Sequence, residues 1–180
     1  MAPRKLKAGE IAAGAMATCR VSSRKVKRPA QPTNFCYDYP RPAVAVDLVV
    51  TRIVAAGRVK SRQVLLIQRL KEPFAASWAL PGGFLEMEET LEQAAARELW
   101  EETAVECRKL TPVGAFSRVD RDPRGRVISF AFWSEVPSRT EHHAGDDAAA
   151  AQWFPVSKLP RLAFDHAEIV AAARGHWKSR

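Results

Sequence analysis

The chain has 180 residues and a mass of 20.0 kDa, with 47% apolar and 27% charged residues. That is enough for one domain with a real core and too little for two large ones, and the composition excludes a fibrous, wholly disordered or disulfide-stapled protein. The net charge of +8 is not spread evenly: residues 1–37 carry eight of the 28 bases and one of the 20 acids, a net of +7, which leaves +1 for residues 38–180.

Residues 1–38 show no sustained apolar period and are rich in Ala, Ser, Thr, Pro and bases. Such a segment buries too little apolar surface to offset its ordering entropy, so the sequence predicts a basic, disordered extension. Three roles are open to it. It has the Arg/Ser-rich, acid-poor character of an organellar transit peptide, repeated after a second candidate start at Met16. The cluster Arg24 to Arg28 also suits a nuclear address or a phosphate-backbone patch. The third reading is a solvated extension with no specific role. Cys19, Cys36 and Cys107 are far apart and form no C-x-x-C pair, which points to reduced thiols in an intracellular compartment. The localisation expected is cytoplasmic, or chloroplast or mitochondrion if the tail is a transit peptide. No apolar run approaches the ~18–20 residues of a membrane span.

Order is predicted over residues 39–176, as one domain. Ala43 to Val50 reads as a buried strand rich in β-branched residues. Gly57 and Lys60-Ser61 mark a turn, Gln63 to Gln68 the partner strand, and Lys71 to Ser77 a loop. Leu80-Pro81-Gly82-Gly83 is a turn that no helix can continue. From Thr90 to about Thr103, Leu91, Ala94, Ala95 and Leu99 form a helical apolar stripe. Val113 to Val119 and Val127 to Val136 read as strands joined by the polar turn Asp120 to Gly125. Trp153-Phe154 belongs to a short strand before Pro155. Asp165 and Glu168 resemble a capping box opening a last helix, Asp165 to Arg174. Strands and helices in this order predict an α/β domain, a sheet covered by helices on two sides.

One segment carries chemistry. Glu98, Glu101 and Glu102 stand at i, i+3 and i+4, so three carboxylates project from one helix face. Such a face repels itself unless a hard divalent cation, Mg²⁺ or Mn²⁺, bridges it, because these ions take several oxygen ligands. The Gly82-Gly83 turn lets backbone approach closely, so a carbonyl there is available to the same ion. A solvated acidic face is the bland explanation for E-x-x-E-E alone.

The surrounding spacing decides between the two. Gly83, Glu89, Arg97, Glu98, Leu99, Glu101, Glu102 and Val105 fall in register with the Nudix box, G-x5-E-x7-R-E-U-x-E-E-x-G-U, and the stretch resembles that family's signature. The box's closing glycine stands here as Ala104. Gln68-Arg69, Pro73-Phe74, Trp78 to Phe84, the Asp120 to Gly125 turn, Gly145-Asp146-Asp147, Trp153-Phe154-Pro155 and Phe164-Asp165-His166 look like the bacterial-type ADP-ribose pyrophosphatases. The resemblance implies a Nudix-type α/β/α sandwich with a mixed β-sheet between helices. It also implies metal-dependent hydrolysis of a nucleoside diphosphate derivative, most directly ADP-ribose to AMP and ribose 5-phosphate. An oxidised nucleoside triphosphate or NADH as substrate, or a non-catalytic ADP-ribose sensor, are the alternatives. The three intact glutamates, and the lack of a helix-turn-helix after the last helix, favour the enzyme.

Carried over residue by residue, the resemblance gives Glu98, Glu101 and Glu102 as metal-binding and catalytic carboxylates, with the Gly82 carbonyl as a further ligand. Arg97 would orient the cluster by pairing with Glu89 and lie with Arg69, Asp122 and Arg124 in the substrate-binding set; Arg124 offers a planar fork to phosphate. Relatives often carry a glutamate shortly before the Trp-Phe pair, where this chain has Ala148 to Gln152. The proton-accepting role would then pass to Asp146, Asp147, Glu141 or Glu98, with modest activity expected. His142-His143 read as surface histidines rather than metal ligands, and Trp78, Trp100, Trp133, Trp153 and Trp177 as packing residues, with stacking of one of them on the substrate's base as the alternative. The partners implied are a small nucleotide and, in some relatives, a second copy of the chain; neither nucleic acid nor membrane is implied.

Overall fold

The computed structural model describes residues 37–145 and 148–177. The basic extension as far as residue 36, with Cys19, Cys36 and the Arg24–Arg28 cluster, lies outside the described residues, as do Asp146 and Asp147. Among the described residues no helix is long and apolar enough to cross a membrane.

Among the described residues seven strands form one mixed sheet. β1 (Ala43–Ala56) turns through Gly57 and Arg58 into β2 (Val59–Arg69). Two short strands follow, β3 (Trp78–Ala79) and β4 (Gly82–Phe84), then helix α1 (Leu91–Thr103). β5 (Thr111–Phe116), β6 (Val127–Glu135), β7 (Ala148–Pro155) and helix α2 (His166–Ala173) complete the domain. The main path is β3-β2-β1-β6-β5, with β4 on β1 and β7 on β2. β1 and β6 run parallel, and the other strand pairs are antiparallel.

Strand periodicity explains the two covered faces. Val46, Leu48 and Val50 of β1 and Leu65 of β2 pack with Ala94, Ala95 and Leu99 of α1. The residues between them, Val49 of β1 with Val64 and Leu66 of β2, pack with Ile169, Val170 and Ala173 of α2. The apolar runs are continuous because both faces are buried. Asp47 shares the α2 face by the same alternation.

Several boundaries differ from those predicted. The first hairpin extends to a two-residue turn, because backbone pairing continues past the point where side chains stop being buried; Lys60 and Ser61 are strand, not turn. β3 and β4 are too short to give a period. β7 begins at Ala148, in an alanine run with little β-propensity of its own, which is strand because β2 pairs with it. α2 opens without the predicted capping box. Asp165 makes no side-chain bond to the helix, since its carboxylate is held by Arg121 instead.

α1 matches its predicted span and is capped at both ends. Thr90 and Gln93 exchange the two bonds of a capping box. At the other end Ala104 is left-handed (φ 54°, ψ 22°), and its N–H donates to the Trp100 carbonyl. A Cβ is strained in that conformation. Ala104→Gly is expected to stabilise the protein by about 0.5–1 kcal/mol, a rise of about 2–4 °C in melting temperature; a fall would show that the alanine methyl packs usefully.

Candidate active site

The Gly82–Gly83 turn is the centre of the site. Gly82 pairs with Asp47 of β1 and lies so close to that strand that an added Cβ would overlap the Val46 carbonyl oxygen. An added Cβ on Gly83 would overlap the carboxylate of Glu98. Only glycines let the turn fit between β1 and α1.

The three α1 carboxylates differ in setting. Glu102 is 9% exposed, and the Gly82 N–H donates to its Oε2 at 2.9 Å. Burial, with Glu98 nearby, raises its pKa to about 8, although the Gly82 bond opposes the rise. Burial also raises the Glu98 pKa, against the pull of Arg97. The Glu101 side chain is half exposed.

Arg97 organises the cluster, as predicted. It grips Glu89 through Nε (2.9 Å) and Nη2 (2.6 Å), and its Nη1 donates to Glu98 (2.6 Å) and Glu101 (3.1 Å). Nη2 also reaches the Phe84 carbonyl at 3.2 Å. Every nitrogen of this guanidinium is therefore engaged within the box. Arg97, expected in the substrate-binding set, is not among the residues that line the cleft on the other side of the Gly82–Gly83 turn.

Among the described residues no three acidic, histidine or cysteine side chains are already gathered around one point. The donor set nonetheless fits a hard divalent cation. Three carboxylates share one face, Gly83 leaves open the space that Glu98 occupies, and a buried Glu102 beside Glu98 lacks a full counter-charge. His142 is not part of this set; its Nε2 lies 3.0 Å from the Ala151 carbonyl and its ring stands edge-on to Trp153.

The other side of the turn opens into a cleft of ≈ 120 Å³. Gly82, Gly83 and Phe84 form one wall, and Arg69, Asp122, Arg124 and Phe164 the others. The structure thus brings Arg69, Asp122 and Arg124, three of the four residues expected to meet substrate, to one cleft together with Gly82. Arg124 forks onto Asp122 through Nε (3.0 Å) and Nη2 (2.7 Å), with its guanidinium 5.0 Å above the Phe84 ring. Arg69 is fixed by its Nε bond to the Pro73 carbonyl (2.8 Å) and lies 5.0 Å above the Phe164 ring.

Behind the cleft is a buried charged network that sequence reasoning missed. Arg121 donates to both Asp165 oxygens (2.9 and 2.7 Å) and to Asp47 Oδ2 (3.2 Å), and Ser129 Oγ also donates to Asp47. The Leu80 N–H donates to His166 Nδ1 at 2.9 Å, so that nitrogen is unprotonated. His166 Nε2 then carries the proton and faces Asp47 Oδ1 at 3.3 Å. Burial holds the His166 pKa below its usual value despite Asp47, and the ring is neutral. One signal for this network was present: an aspartate inside the apolar run AVAVDLVV, where a buried charge requires a partner.

The loop from Pro137 is tied to the end of α1. The His143 N–H donates to Thr103 O and the Gly145 N–H to Glu102 O, both at 3.0 Å. Gly145 sits so close that a Cβ would overlap the Glu101 carbonyl oxygen. The chain is therefore anchored at the carboxylate helix immediately before Asp146. Glu141, in the same loop, is exposed.

Comparison with known proteins agrees with this geometry. The NUDIX domain family model matches residues 44–173. The chain is 45% identical over 132 residues to an ADP-ribose pyrophosphatase of Methanocaldococcus jannaschii, covering 73% of each chain. Among solved structures it resembles the NUDIX domain of Shewanella oneidensis NrtR complexed with ADP ribose (TM-score 0.68, 28% identity, 77% of this chain and 90% of that one). It also resembles a bifunctional NMN adenylyltransferase/ADP ribose pyrophosphatase from Francisella tularensis complexed with AMP and a Mn ion (TM-score 0.64, 30% identity, 78% of this chain). The chain spans only 43% of that bifunctional protein.

Proposed function

The chain belongs to the Nudix family, and from that premise we propose that it is a hydrolase cleaving ADP-ribose, with water, into AMP and ribose 5-phosphate. One observation carries the reading: the Gly82–Gly83 turn touches Glu98 and Glu102 on one side and lines the cleft holding Arg69 and Arg124 on the other. A diphosphate over this turn meets guanidinium donors and carboxylates together.

Glu98, Glu101 and Glu102, with the Gly82 carbonyl, would hold a divalent cation, Mg²⁺ or Mn²⁺. When bound, such an ion neutralises phosphate charge and makes water nucleophilic near neutral pH. Arg69 and Arg124 bind diphosphate oxygens, and Asp122 fixes the fork of Arg124 toward the cleft. Arg97 positions Glu98 and Glu101 and leaves substrate to the other arginines. Asp146 takes the proton from the attacking water, with Glu98 the second candidate. The loop leading to Asp146 is fastened to α1, which supports the first choice.

The test is to incubate the purified full chain with Mg²⁺ and, separately, ADP-ribose, NADH, ADP-glucose and nucleoside triphosphates, following AMP by chromatography. AMP and ribose 5-phosphate in equal amounts from ADP-ribose are expected. Turnover confined to another compound would keep the chemistry and discard the substrate. Tight binding of ADP-ribose without turnover would instead make the domain a sensor.

A further inference from the structure

The cleft beside Gly82 is too small for the whole proposed substrate. Sites for small ligands run to about 300–1,000 Å³, whereas this cleft measures ≈ 120 Å³, and Arg69, Arg121, Arg124, Asp47 and Asp122 line it beside the two glycines and the Phe84 and Phe164 rings. It suits phosphate and sugar oxygens, and its two aromatic rings already carry guanidinium groups, Arg124 over Phe84 and Arg69 over Phe164.

A second cleft, of ≈ 360 Å³, shares one wall with the first: Phe164 lines both. Its other lining residues are Phe74, Ser77, Arg161 and Leu162. Phe74 and Phe164 meet edge to face, with centroids 4.8 Å apart, and Phe74 remains 40% exposed.

Both phenylalanines have left-handed backbones, φ 64° at Phe74 and φ 50° at Phe164. A bulky residue in that region is strained, and such strain persists only where the surroundings impose it. Here they do. The loop carrying Phe74 is held by bonds from the Arg69 N–H to Ser77 O, the Ala76 N–H to Arg69 O, and Arg69 Nε to Pro73 O. Phe164 immediately precedes Asp165 and His166, both fixed by the buried network. Two rings are therefore held at the mouth of a cleft, and one of them, Phe74, is partly open to solvent.

We propose that the cleft between Phe74, Arg161 and Phe164 is the nucleobase subsite, in which the substrate's purine ring stacks on the aromatic wall while its diphosphate reaches past Phe164 to Arg69 and Gly82. This assignment rests on the ADP-ribose reading and names where one end of that molecule lies. Arg161 supplies hydrogen-bond donors, which match the acceptor nitrogens of a purine. The face of Phe164 that meets Arg69 and Arg124 makes the ring a partition: aromatic surface for the base on one side, cations for phosphate on the other.

The two reaction products probe the two ends separately, and their binding can be measured without turnover. Titration calorimetry on the full chain with AMP and with ribose 5-phosphate is compared for the wild type, Phe74→Ala and Phe74→Trp. In Phe74→Ala the AMP dissociation constant should rise roughly tenfold or more, that of ribose 5-phosphate should stay within about twofold, and Phe74→Trp should restore AMP binding. A melting temperature equal to the wild type's verifies folding; Phe74→Leu, which keeps apolar volume without a ring, replaces the alanine variant if it does not. Equal weakening of both ligands, loss of ribose 5-phosphate binding alone, or unchanged AMP binding would each overturn the assignment. Absence of ADP-ribose hydrolysis would overturn the substrate reading instead, and leave the calorimetric result to decide the subsite by itself.

Discussion

Glu102→Gln is expected to lower ADP-ribose turnover roughly 10²-fold or more while making the metal-free protein more stable. Both effects follow from one carboxylate. Its charge is buried beside Glu98, and the Gly82 N–H is the main group favouring ionisation. Glutamine keeps an oxygen to accept that bond and removes the charge, so the fold loses little and the cation site loses a ligand.

The folded-state pKa of about 8 lies above the ordinary carboxyl value of 4.5. The protonated form is therefore the stable partner of the fold, and this contribution is fully present below about pH 4.5 and lost as pH rises through about 8. In EDTA, the wild type should lose on the order of 2–4 kcal/mol relative to Glu102→Gln between those limits. Urea denaturation of both proteins at pH 5 and pH 8.5 checks it. Adding Mg²⁺ should then raise the wild-type midpoint and leave the variant nearly unmoved, because an ion that binds only the folded state stabilises it. Parallel curves in EDTA would mean that water reaches Glu102 and that its charge is not a source of strain.

How much of this was legible in the sequence varies with the kind of signal. The carboxylate spacing, Arg97 with Glu89, and the glycine turn are fixed offsets within about twenty residues, and local chain geometry carries such offsets directly into contacts. Asp122 with Arg124 is local in the same way. The helix α1 was readable because Leu91, Ala94, Ala95 and Leu99 repeat along one face and Thr90 caps them. The end of β7 at Trp153-Phe154 was readable too, but its start was not, since four alanines have no strand preference and become strand only through pairing with residues some eighty positions earlier. The network of Asp47, Arg121, Asp165 and His166 joins β1, the turn before β6 and the start of α2. No spacing rule links residues separated by 44 and 74 positions. Phe74 and Phe164 come together in the same non-local way, through backbone conformations that propensity argues against.

That buried network is also where stability is most exposed to a single substitution. Arg121→Met is expected to destabilise the protein by about 3–5 kcal/mol, a large share of the roughly 5–15 kcal/mol that holds a domain folded. Methionine fills much of the same volume but leaves Asp47 and Asp165 buried without the cation between them. The Arg121 side chain is 4% exposed, and those of Asp165 and Asp47 are 2% and 9% exposed. Solvent cannot replace the lost partner there. Arg118 is the control. It also bridges two acids, Asp120 and Glu168, but all three side chains are more than half exposed. Arg118→Met should leave the urea midpoint where it was, as exposed pairs gain little over their hydrated state. A double variant, Arg121→Met with Asp165→Asn, should recover part of the loss by removing one stranded charge. If Arg121→Met and Arg118→Met shift the midpoint equally, burial does not govern these pairs. A large loss for Arg121→Met alone would show that β1, the turn before β6 and α2 are fastened together at this one guanidinium, behind the wall that holds Phe164 and Gly82 in place.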